Sequence, residues 1–240
     1  MNNPWTELPK FAPFELLMDS EWISEYRRSL NKWVDRQGGS QANKLLHDYS
    51  LRTDITPFPY YGDPAQAKVI VLQANPGYDP EWETNSLTPL ILDLDRKNLL
   101  HQNELPLCYT QPKYAYWKYN DGRGNEDWYW KRTREVREKV GWEAVAKGVT
   151  YMEAFPYRSI KLMIPKILPP SQQYTFYLLR EALKRNVWVV MTRMDRYWRE
   201  NVPQLNEHHR IIKIKNRRSV YLSPGNMDQD AFEFLCEALK

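Results

Sequence analysis

Short apolar runs alternate with helical patterns along most of the chain, which predicts an α/β protein. The runs are rich in β-branched residues, as is typical of strands buried on both faces, and they cover residues 68–72, 148–152, 187–191, 210–214 and 219–222. Helical spacing of apolar residues predicts helices over residues 127–147, 171–185, 195–201 and 229–239. Alternation of this kind forms βαβ units, so we expect a three-layer α/β/α fold with a short, mainly parallel central sheet.

The N-terminal part of the chain stands apart from this alternation. Its first fourteen residues carry three prolines and show no hydrophobic period, so we expect an irregular arm on the surface. Helical spacing then predicts a helix that has Ser20 as its N-cap and ends at Gly38 and Gly39. We therefore expect residues 1–56 to form an arm and helix that pack on the core, and residues 57–240 to form one compact unit.

Cysteine and histidine usage excludes several classes of protein. The chain has 240 residues but only two cysteines, Cys108 and Cys236, and it has no CxxC pair. This excludes a disulfide scaffold and a four-cysteine zinc or iron–sulfur site. Only four histidines occur, and the adjacent His208 and His209 diverge on either a strand or a helix. We expect neither a metal nor another cofactor.

Charge, hydropathy and aromatic content narrow the class of partner. The mean hydropathy is −0.73, and no apolar run approaches the roughly 18 residues that span a membrane. We therefore expect a monomer in the cytoplasm that makes no membrane contact. The formal net charge is +4, and aromatic residues make up 14% of the chain. Rings with mild basicity fit stacking on bases beside phosphates, and they equally fit a large core.

Polar loops follow three of the predicted strands. In doubly wound sheets, ligands bind beyond the carboxyl ends of the strands, so these loops are the candidate site. Residues 73–80 (QANPGYDP) follow the first strand, residues 153–158 (EAFPYR) follow the second, and residues 222–227 (LSPGNM) follow the last. Each loop combines a tight turn with side chains that can form hydrogen bonds.

In this order, the three loops resemble the motifs of the uracil-DNA glycosylase superfamily. Residues 59–64 (PYYGDP), the first strand and the NPG of residues 75–77 are similar to the first motif of that family, and residues 223–227 (SPGNM) are similar to the second. The resemblance covers about residues 57–240. It implies a uracil-DNA-glycosylase-like fold and a monofunctional DNA glycosylase, which hydrolyses the N-glycosidic bond of a flipped base and leaves an abasic site.

The resemblance also implies roles for individual residues. Asn75 matches the family residue whose side-chain carbonyl orients the attacking water. Asp79 is a nearby carboxylate that either replaces or assists Asn75, or forms a structural turn before Pro80. Ser223 stands where relatives often carry a His or Asn that stabilises the leaving base. The pocket for the base is expected to be lined by Gln73, Ala74, Tyr78, Glu153, Phe155 and Asn226.

Glu153 departs from the family pattern, because uracil-excising relatives usually carry Asn after this strand. An ionised Glu accepts hydrogen bonds and does not donate them, and cytosine offers an exocyclic amine donor where uracil offers an oxygen. We therefore predict a cytosine-type base. A modified cytosine, such as glucosylated hydroxymethylcytosine in phage DNA, would spare the host, and the resemblance to superfamily members that excise this base as phage defence implies a role in antiviral defence. The alternative that Glu153 faces a neighbouring Arg or solvent stays open.

Other residues are candidates for contact with DNA. Met227 is either the apolar wedge that holds the flipped nucleotide out of the stack or the start of packing for the last helix. The ring-rich residues 109–130 either enlarge the base pocket or pack in the core. Cations near the loops are expected to contact phosphates, namely Arg158, Lys213, Lys215, Arg217 and Arg218. Arg158 alternatively neutralises Glu153.

Two other functions remain compatible with these residues. One is a uracil or mismatch DNA glycosylase with a tolerant pocket. The other is a catalytically silent DNA-binding module of the same fold.

Overall fold

A five-stranded, mostly parallel sheet lies at the centre of the protein. The computed structural model describes residues 1–37, 39–78, 89–106, 116–118, 124–165 and 167–240. Its strands are β1 (Tyr60–Tyr61), β2 (Val69–Leu72), β3 (Tyr116–Lys118), β4 (Gly124–Glu126), β5 (Val149–Met152), β6 (Trp188–Met191) and β7 (Ile211–Lys213). The central sheet has the order β1-β5-β2-β6-β7, and only β1 runs antiparallel to its neighbour. Strands β3 and β4 form a separate antiparallel pair.

Helices pack on both faces of the central sheet. The described residues form helices α1 (Ser20–Gln37), α2 (Ala42–Tyr49), α3 (Pro89–Leu99), α4 (Trp128–Arg132), α5 (Arg134–Val140), α6 (Trp142–Gly148), α7 (Gln172–Lys184), α8 (Asp195–Asn201) and α9 (Gln229–Leu239), of which α5 to α9 pack on the sheet. Successive residues of a strand point to opposite faces. Ile70 and Leu72 therefore pack in a core with α7, α8 and the N-terminal arm, while Val69 and Val71 pack in a second core with α5, α6 and α9.

The register of the parallel strands sets where the chain leaves the sheet. Leu72 of β2 pairs with Met152 of β5 and with Met191 of β6. The three strands therefore end at one level, and the residues that follow them emerge side by side at the carboxyl edge. These residues are Gln73, Glu153 and Thr192.

The predicted α/β alternation is confirmed for most elements, and the exceptions have local causes. Residues 219–222 form no strand, because carbonyl groups of this segment accept hydrogen bonds from the side chain of Asn226 instead of from a neighbouring strand. The predicted helix over 127–147 is three short helices, α4 to α6, which break at Thr133 and at Gly141. Gly141 has φ +85°, which a continuous helix does not allow.

The N-terminal arm packs on the core, and some of its side chains are buried within that core instead of lying on the surface. It contains a short 3₁₀ helix, Pro4–Glu7, and its Trp5 side chain is only 2% exposed. Trp5 and Phe14 pack in the same core as Leu72. The predicted α1 is confirmed, but Ser20 has helical dihedral angles and follows a 3₁₀ turn directly, so it is not an N-cap.

A third apolar cluster joins the N-terminal helices to the rest of the protein. Trp22, Tyr26 and Leu30 of α1 pack against Tyr157, which lies in the loop after β5. The Trp22 and Tyr157 rings stack with their centroids 6.0 Å apart. In the described part of the chain, no helix has both the length and the apolar character needed to cross a membrane.

Candidate functional site

Three buried polar residues form a row at the carboxyl edge of the sheet. Gln73, Glu153 and Thr192 are at most 8% exposed. Thr192 is satisfied, because its hydroxyl donates to the carbonyl of Leu72 at 2.5 Å. In contrast, Gln73 Nε2 and Glu153 Oε2 are buried and have no hydrogen-bond partner among the described residues. A buried polar group without a partner costs roughly 1–3 kcal/mol, so this unused donor and acceptor, which directly follow adjacent strands, are candidates for ligand contact.

The Glu153 carboxyl group is held in a low-dielectric position. Burial raises its pKa to about 8, while Arg193 and Arg158 act in the opposite direction. The backbone is fixed, because Glu153 N donates to Pro59 O at 2.9 Å and Glu153 O accepts from Gln172 Nε2 at 2.9 Å. At neutral pH the carboxyl group is therefore mostly protonated.

Protonation corrects one premise of the sequence argument. That argument assumed an ionised Glu153, which only accepts hydrogen bonds. A neutral carboxylic acid has one O–H donor and one carbonyl acceptor, and it can pair with cytosine or with uracil. Glu153 faces the protein interior and two arginines act on it, so the open alternative that it faces solvent does not hold.

Asn75 is tethered by one end of its amide group. Its Nδ2 donates to the backbone carbonyl and to the hydroxyl of Ser159, both at 3.2 Å, and lies 3.4 Å from Pro76 O. A carbonyl oxygen accepts but does not donate, so the nitrogen must face Ser159. Asn75 Oδ1 consequently points away and accepts no hydrogen bond from the described residues, which leaves it able to hold a water.

Hydrogen bonds tie the loop after β2 to the loop after β5. Arg158 Nε donates to Gly77 O at 3.1 Å, and Phe155 N donates to Ala74 O at 3.1 Å. Ala74 and Phe155 are both buried, and the Phe155 ring packs 5.1 Å from that of Tyr197. Arg158 therefore serves as a tether between the loops as well as a positive charge acting on Glu153.

The N-terminal residues support both loops from outside. Tyr157 donates its hydroxyl proton to Asp19 Oδ2 at 2.8 Å, and Asp19 Oδ1 accepts from Ser171 N at 2.9 Å. Arg52 N donates to the carbonyl of Arg158 at 2.8 Å. The Arg52 guanidinium also lies over the Tyr78 ring, 3.9 Å from its centroid. Tyr78 thus contacts the N-terminal region, and Asp79 lies outside the described residues.

The loop before α9 is occupied by its own hydrogen bonds. Asn226 Oδ1 accepts from Asn216 N at 2.8 Å, and Asn226 Nδ2 donates to the carbonyls of Ser219 and Tyr221 at 2.7 and 3.0 Å. Both ends of this amide are used by the loop backbone, so the structure gives Asn226 a structural role in place of the expected base contact. Ser223 is 7% exposed, and its carbonyl accepts from Asn226 N.

Met227 is fully buried, which contradicts its expected role as a wedge. The side chain is 0% exposed and packs in the core with Val71 and Phe232. A side chain in this position cannot reach between base steps. The packing alternative, in which Met227 begins the contacts of α9, is the one the structure supports.

The expected phosphate-binding cations differ in their surroundings. Lys213, Lys215, Arg217 and Arg218 are all exposed, and the described contacts of Lys215 distinguish it. Lys215 Nζ donates to Met227 O at 2.9 Å and lies 3.4 Å from an Asp228 carboxylate oxygen.

Arg193 connects this region to the site and is a residue that the sequence analysis missed. Its Nε donates to Arg217 O at 3.0 Å, and its charge acts on Glu153. Thr192 and Ser159 were missed as well. Comparing the first two positions after each parallel strand would have pointed to Thr192 and Arg193, whereas no sequence signal marks Ser159.

Only part of the ring-rich segment 109–130 has described side chains, and these mostly pack. Tyr129 lies between Tyr61 and Tyr151, with ring centroids 4.7 and 5.0 Å away. Asp127 caps α4 by accepting from the backbone N–H of Tyr129 at 2.8 Å. Trp128 is 38% exposed, and the Arg132 guanidinium lies over its ring, 4.9 Å from the centroid, so only part of this ring is open to a ligand. Tyr109, Tyr114 and Tyr119 lie outside the described residues.

Comparison with known proteins gives no match: no family model, no curated protein and no solved structure is similar to this chain.

Within the described ranges, no group of three or more His, Cys, Asp or Glu side chains is placed to hold a metal ion. The candidate site therefore consists of the tethered Asn75, the unpaired Gln73 and Glu153, and the arginines Arg158 and Arg193.

Proposed function

We propose that the protein is a monofunctional DNA glycosylase that excises a cytosine-type base. The observation that carries this proposal is the pairing of a tethered Asn75, whose Oδ1 is unused, with the buried and unpaired Glu153 carboxyl group. One group is suited to hold a water and the other to recognise a base edge. Both lie at the carboxyl edge of a mostly parallel sheet, where such folds bind ligands.

Asn75 positions the water in this mechanism. The water oxygen bonds to C1′ as the bond from C1′ to the base nitrogen breaks, and the electron pair of that bond leaves with the base. The water gives up one proton to solvent, and the anionic base takes up one proton. An amide is too weak a base to abstract the proton early, so Asn75 contributes orientation. The transition state has oxocarbenium character, as in other glycosyl hydrolyses.

Glu153 and Gln73 recognise the base. The neutral acid donates its O–H to N3 of cytosine and accepts from the N4 amine. Gln73 Nε2 is an unused donor that can stabilise negative charge on the O2 oxygen of the leaving base. A modified cytosine, such as the glucosylated hydroxymethylcytosine of phage DNA, would leave host DNA intact, and the exposed part of Trp128 could contact an attached sugar.

Uracil is the second candidate base, and a specific observation favours it. Burial keeps Glu153 largely protonated at neutral pH. The neutral acid can donate to O4 of uracil and accept from its N3–H, as the Asn of uracil-excising relatives would.

A panel of defined DNAs tests the proposal. Oligonucleotides containing a single uracil, cytosine, hydroxymethylcytosine or glucosylated hydroxymethylcytosine are incubated with the protein and then cleaved with alkali at abasic sites. We expect cleavage of the modified cytosine DNAs, and no cleavage by the Asn75→Ala variant. Asn31→Ala is the matched control, because Asn31 is exposed on α1.

Each result of the panel separates the candidates. Cleavage of uracil DNA alone would support the second candidate and reject the cytosine-type base. No cleavage of any DNA, together with retained DNA binding, would favour a catalytically silent binding module. Cleavage that persists in Asn75→Ala would remove Asn75 from the mechanism.

A further inference from the structure

A small basic pocket lies beside Ser223, on the side of the loop that faces α4 and α5. Its volume is about 100 Å³, and its lining includes Lys131, Arg132, Arg134, Glu135, Tyr221 and Ser223. Three cations and one carboxylate line this pocket, so its formal charge is positive. None of its three cations is among the residues expected from the sequence to contact DNA.

Arg132 is held rigidly at the wall of this pocket. Its guanidinium lies over the rings of Trp128 and Tyr221, 4.9 and 4.5 Å from their centroids. One terminal nitrogen donates to the Tyr221 hydroxyl at 3.3 Å, and the Arg132 carbonyl accepts from Leu222 N at 3.0 Å. These contacts orient the planar group in advance, so less side-chain freedom is lost when it binds an anion.

The Arg132 guanidinium retains an unused donor. Its Nε is buried and has no hydrogen-bond partner among the described residues. The Arg132 side chain lines the pocket, and a fixed guanidinium is suited to phosphate oxygens because Arg presents several N–H groups in a planar fork that matches phosphate geometry. Lys131 is exposed at the rim, where it can add a second positive charge.

We propose that this pocket binds a backbone phosphate of the nucleic-acid strand. The choice of nucleic acid as the source of the phosphate rests on the proposed function, while the phosphate chemistry rests on the pocket itself. Ser223 lines the pocket and begins the loop that resembles the leaving-base motif. A phosphate bound here would anchor the strand next to the flipped nucleotide.

The salt dependence of DNA binding tests the pocket. Affinity for a fluorescent single strand of ordinary bases is measured over a series of salt concentrations for the wild type, Arg132→Gln and Lys131→Gln. We expect affinity to fall about tenfold in Arg132→Gln and about threefold in Lys131→Gln. Loss of one phosphate contact should also lower the slope of log K against log salt by about 0.7.

Two controls keep the test specific. Arg196→Gln removes a cation from α8 whose side chain is 92% exposed and pairs with Glu200, so its affinity and slope should match the wild type. Arg132 also packs against two rings, so thermal unfolding is used first to check that Arg132→Gln is folded. If Arg132→Gln does not fold, Lys131→Gln alone tests the proposal. Unchanged affinity and slope in Lys131→Gln and in a folded Arg132→Gln would overturn the proposal.

The remaining outcomes distinguish this proposal from the proposed function. Excision is measured on the same samples. Normal excision with an unchanged slope would reject the pocket alone, whereas a reduced slope without any excision by the wild type would support the pocket and reject the glycosylase. If inorganic phosphate raises the unfolding temperature of the wild type but DNA affinity is the same in all variants, the pocket takes a small phosphate and the nucleic-acid assignment is overturned.

Discussion

The two loop regions that resemble glycosylase motifs use their asparagines in opposite ways. In Asn226, before α9, both the side-chain oxygen and the side-chain nitrogen form hydrogen bonds with the backbone of residues 216–221. In Asn75, after β2, the side-chain nitrogen donates hydrogen bonds to Ser159, and the oxygen accepts none from the described residues. The same type of side chain therefore stabilises the backbone in one loop and keeps an unused carbonyl oxygen in the other. Residue type and motif position alone do not separate these cases.

The comparison extends to the neighbours of each asparagine. Met227, next to Asn226, is buried in the core, whereas Gln73 and Glu153, near Asn75, carry buried polar atoms without partners in the described structure. Stable folds satisfy most buried polar atoms, so this neighbouring donor and acceptor are candidates for contact with a ligand. The proposed chemistry therefore belongs to the β2 and β5 loops, and the described contacts of the loop before α9 are mainly structural.

The largest expected effect comes from removing Asn75. Asn75→Ala should lower the rate of excision about 10³-fold, equivalent to about 4 kcal/mol, because the water loses its positioning group. The unfolding temperature should change by only a few degrees, since the residue is only partly buried. Single-turnover kinetics and calorimetry measure the two quantities. An excision rate within twofold of the Asn31→Ala control would place the water elsewhere.

Asn226→Ala should show the opposite pattern. The variant loses three hydrogen bonds, at about 1 kcal/mol each, so the free energy of unfolding should fall by about 3 kcal/mol. At a temperature where the variant remains folded, excision should be within about fivefold of the wild type. Urea unfolding checks the first expectation. A stable variant with excision lost as fully as in Asn75→Ala would make Asn226 part of the chemistry and reverse the comparison.

Glu153→Gln should abolish the pH dependence of base preference, that is, of the ratio of uracil excision to cytosine-type excision. The expected change in this ratio, about tenfold, is smaller than the effect of Asn75→Ala. The pKa of Glu153 is about 8 in the folded protein, so its carboxylate forms as pH rises from 7 to 9 and repels the O4 oxygen of uracil. The wild type should therefore lose uracil excision relative to cytosine-type excision over that range. Gln stays neutral, so its ratio should be flat. Competition assays at pH 6, 7, 8 and 9 give the ratios, and parallel curves for both proteins would show that Glu153 does not recognise the base.

The same substitution tests the protonation state through stability. The folded-state pKa lies above the ordinary value of 4.5, so this group's contribution to stability is complete below about pH 4.5 and is lost as pH rises through about 8. Glu153→Gln should therefore gain stability relative to the wild type between pH 5 and pH 9. A constant difference across that range would mean that Glu153 titrates alike in both states.

The sequence predicted most strands of the sheet, but it did not predict which polar side-chain atoms lack a hydrogen-bond partner. Continuous apolar runs mark β2, β5 and β6 because a strand buried on both faces tolerates little else, and their register then places Gln73 beside Glu153. Strand β1 has only two residues, too short for any periodic signal. The Asn75–Ser159 contact joins residues 84 positions apart, so no local pattern predicts it. Burial of Met227 likewise depends on how α9 packs, which a motif does not contain.

The smallest expected effect tests how the N-terminal region supports Asn75. Tyr157→Phe keeps the ring but removes two hydrogen bonds of the hydroxyl, the one donated to Asp19 and the one accepted from Leu16 N, which should cost about 2 kcal/mol of stability. Because Tyr157 lies two residues before Ser159, a looser loop should also let the Asn75 amide move, so kcat should fall about fivefold with KM unchanged. Tyr177→Phe is the matched control, a partly buried tyrosine on α7. If stability falls but kcat equals that of the control, the Asp19–Tyr157 contact stabilises only the fold, as Asn226 does. In that case, Ser159 alone would be sufficient to hold the Asn75 amide in place.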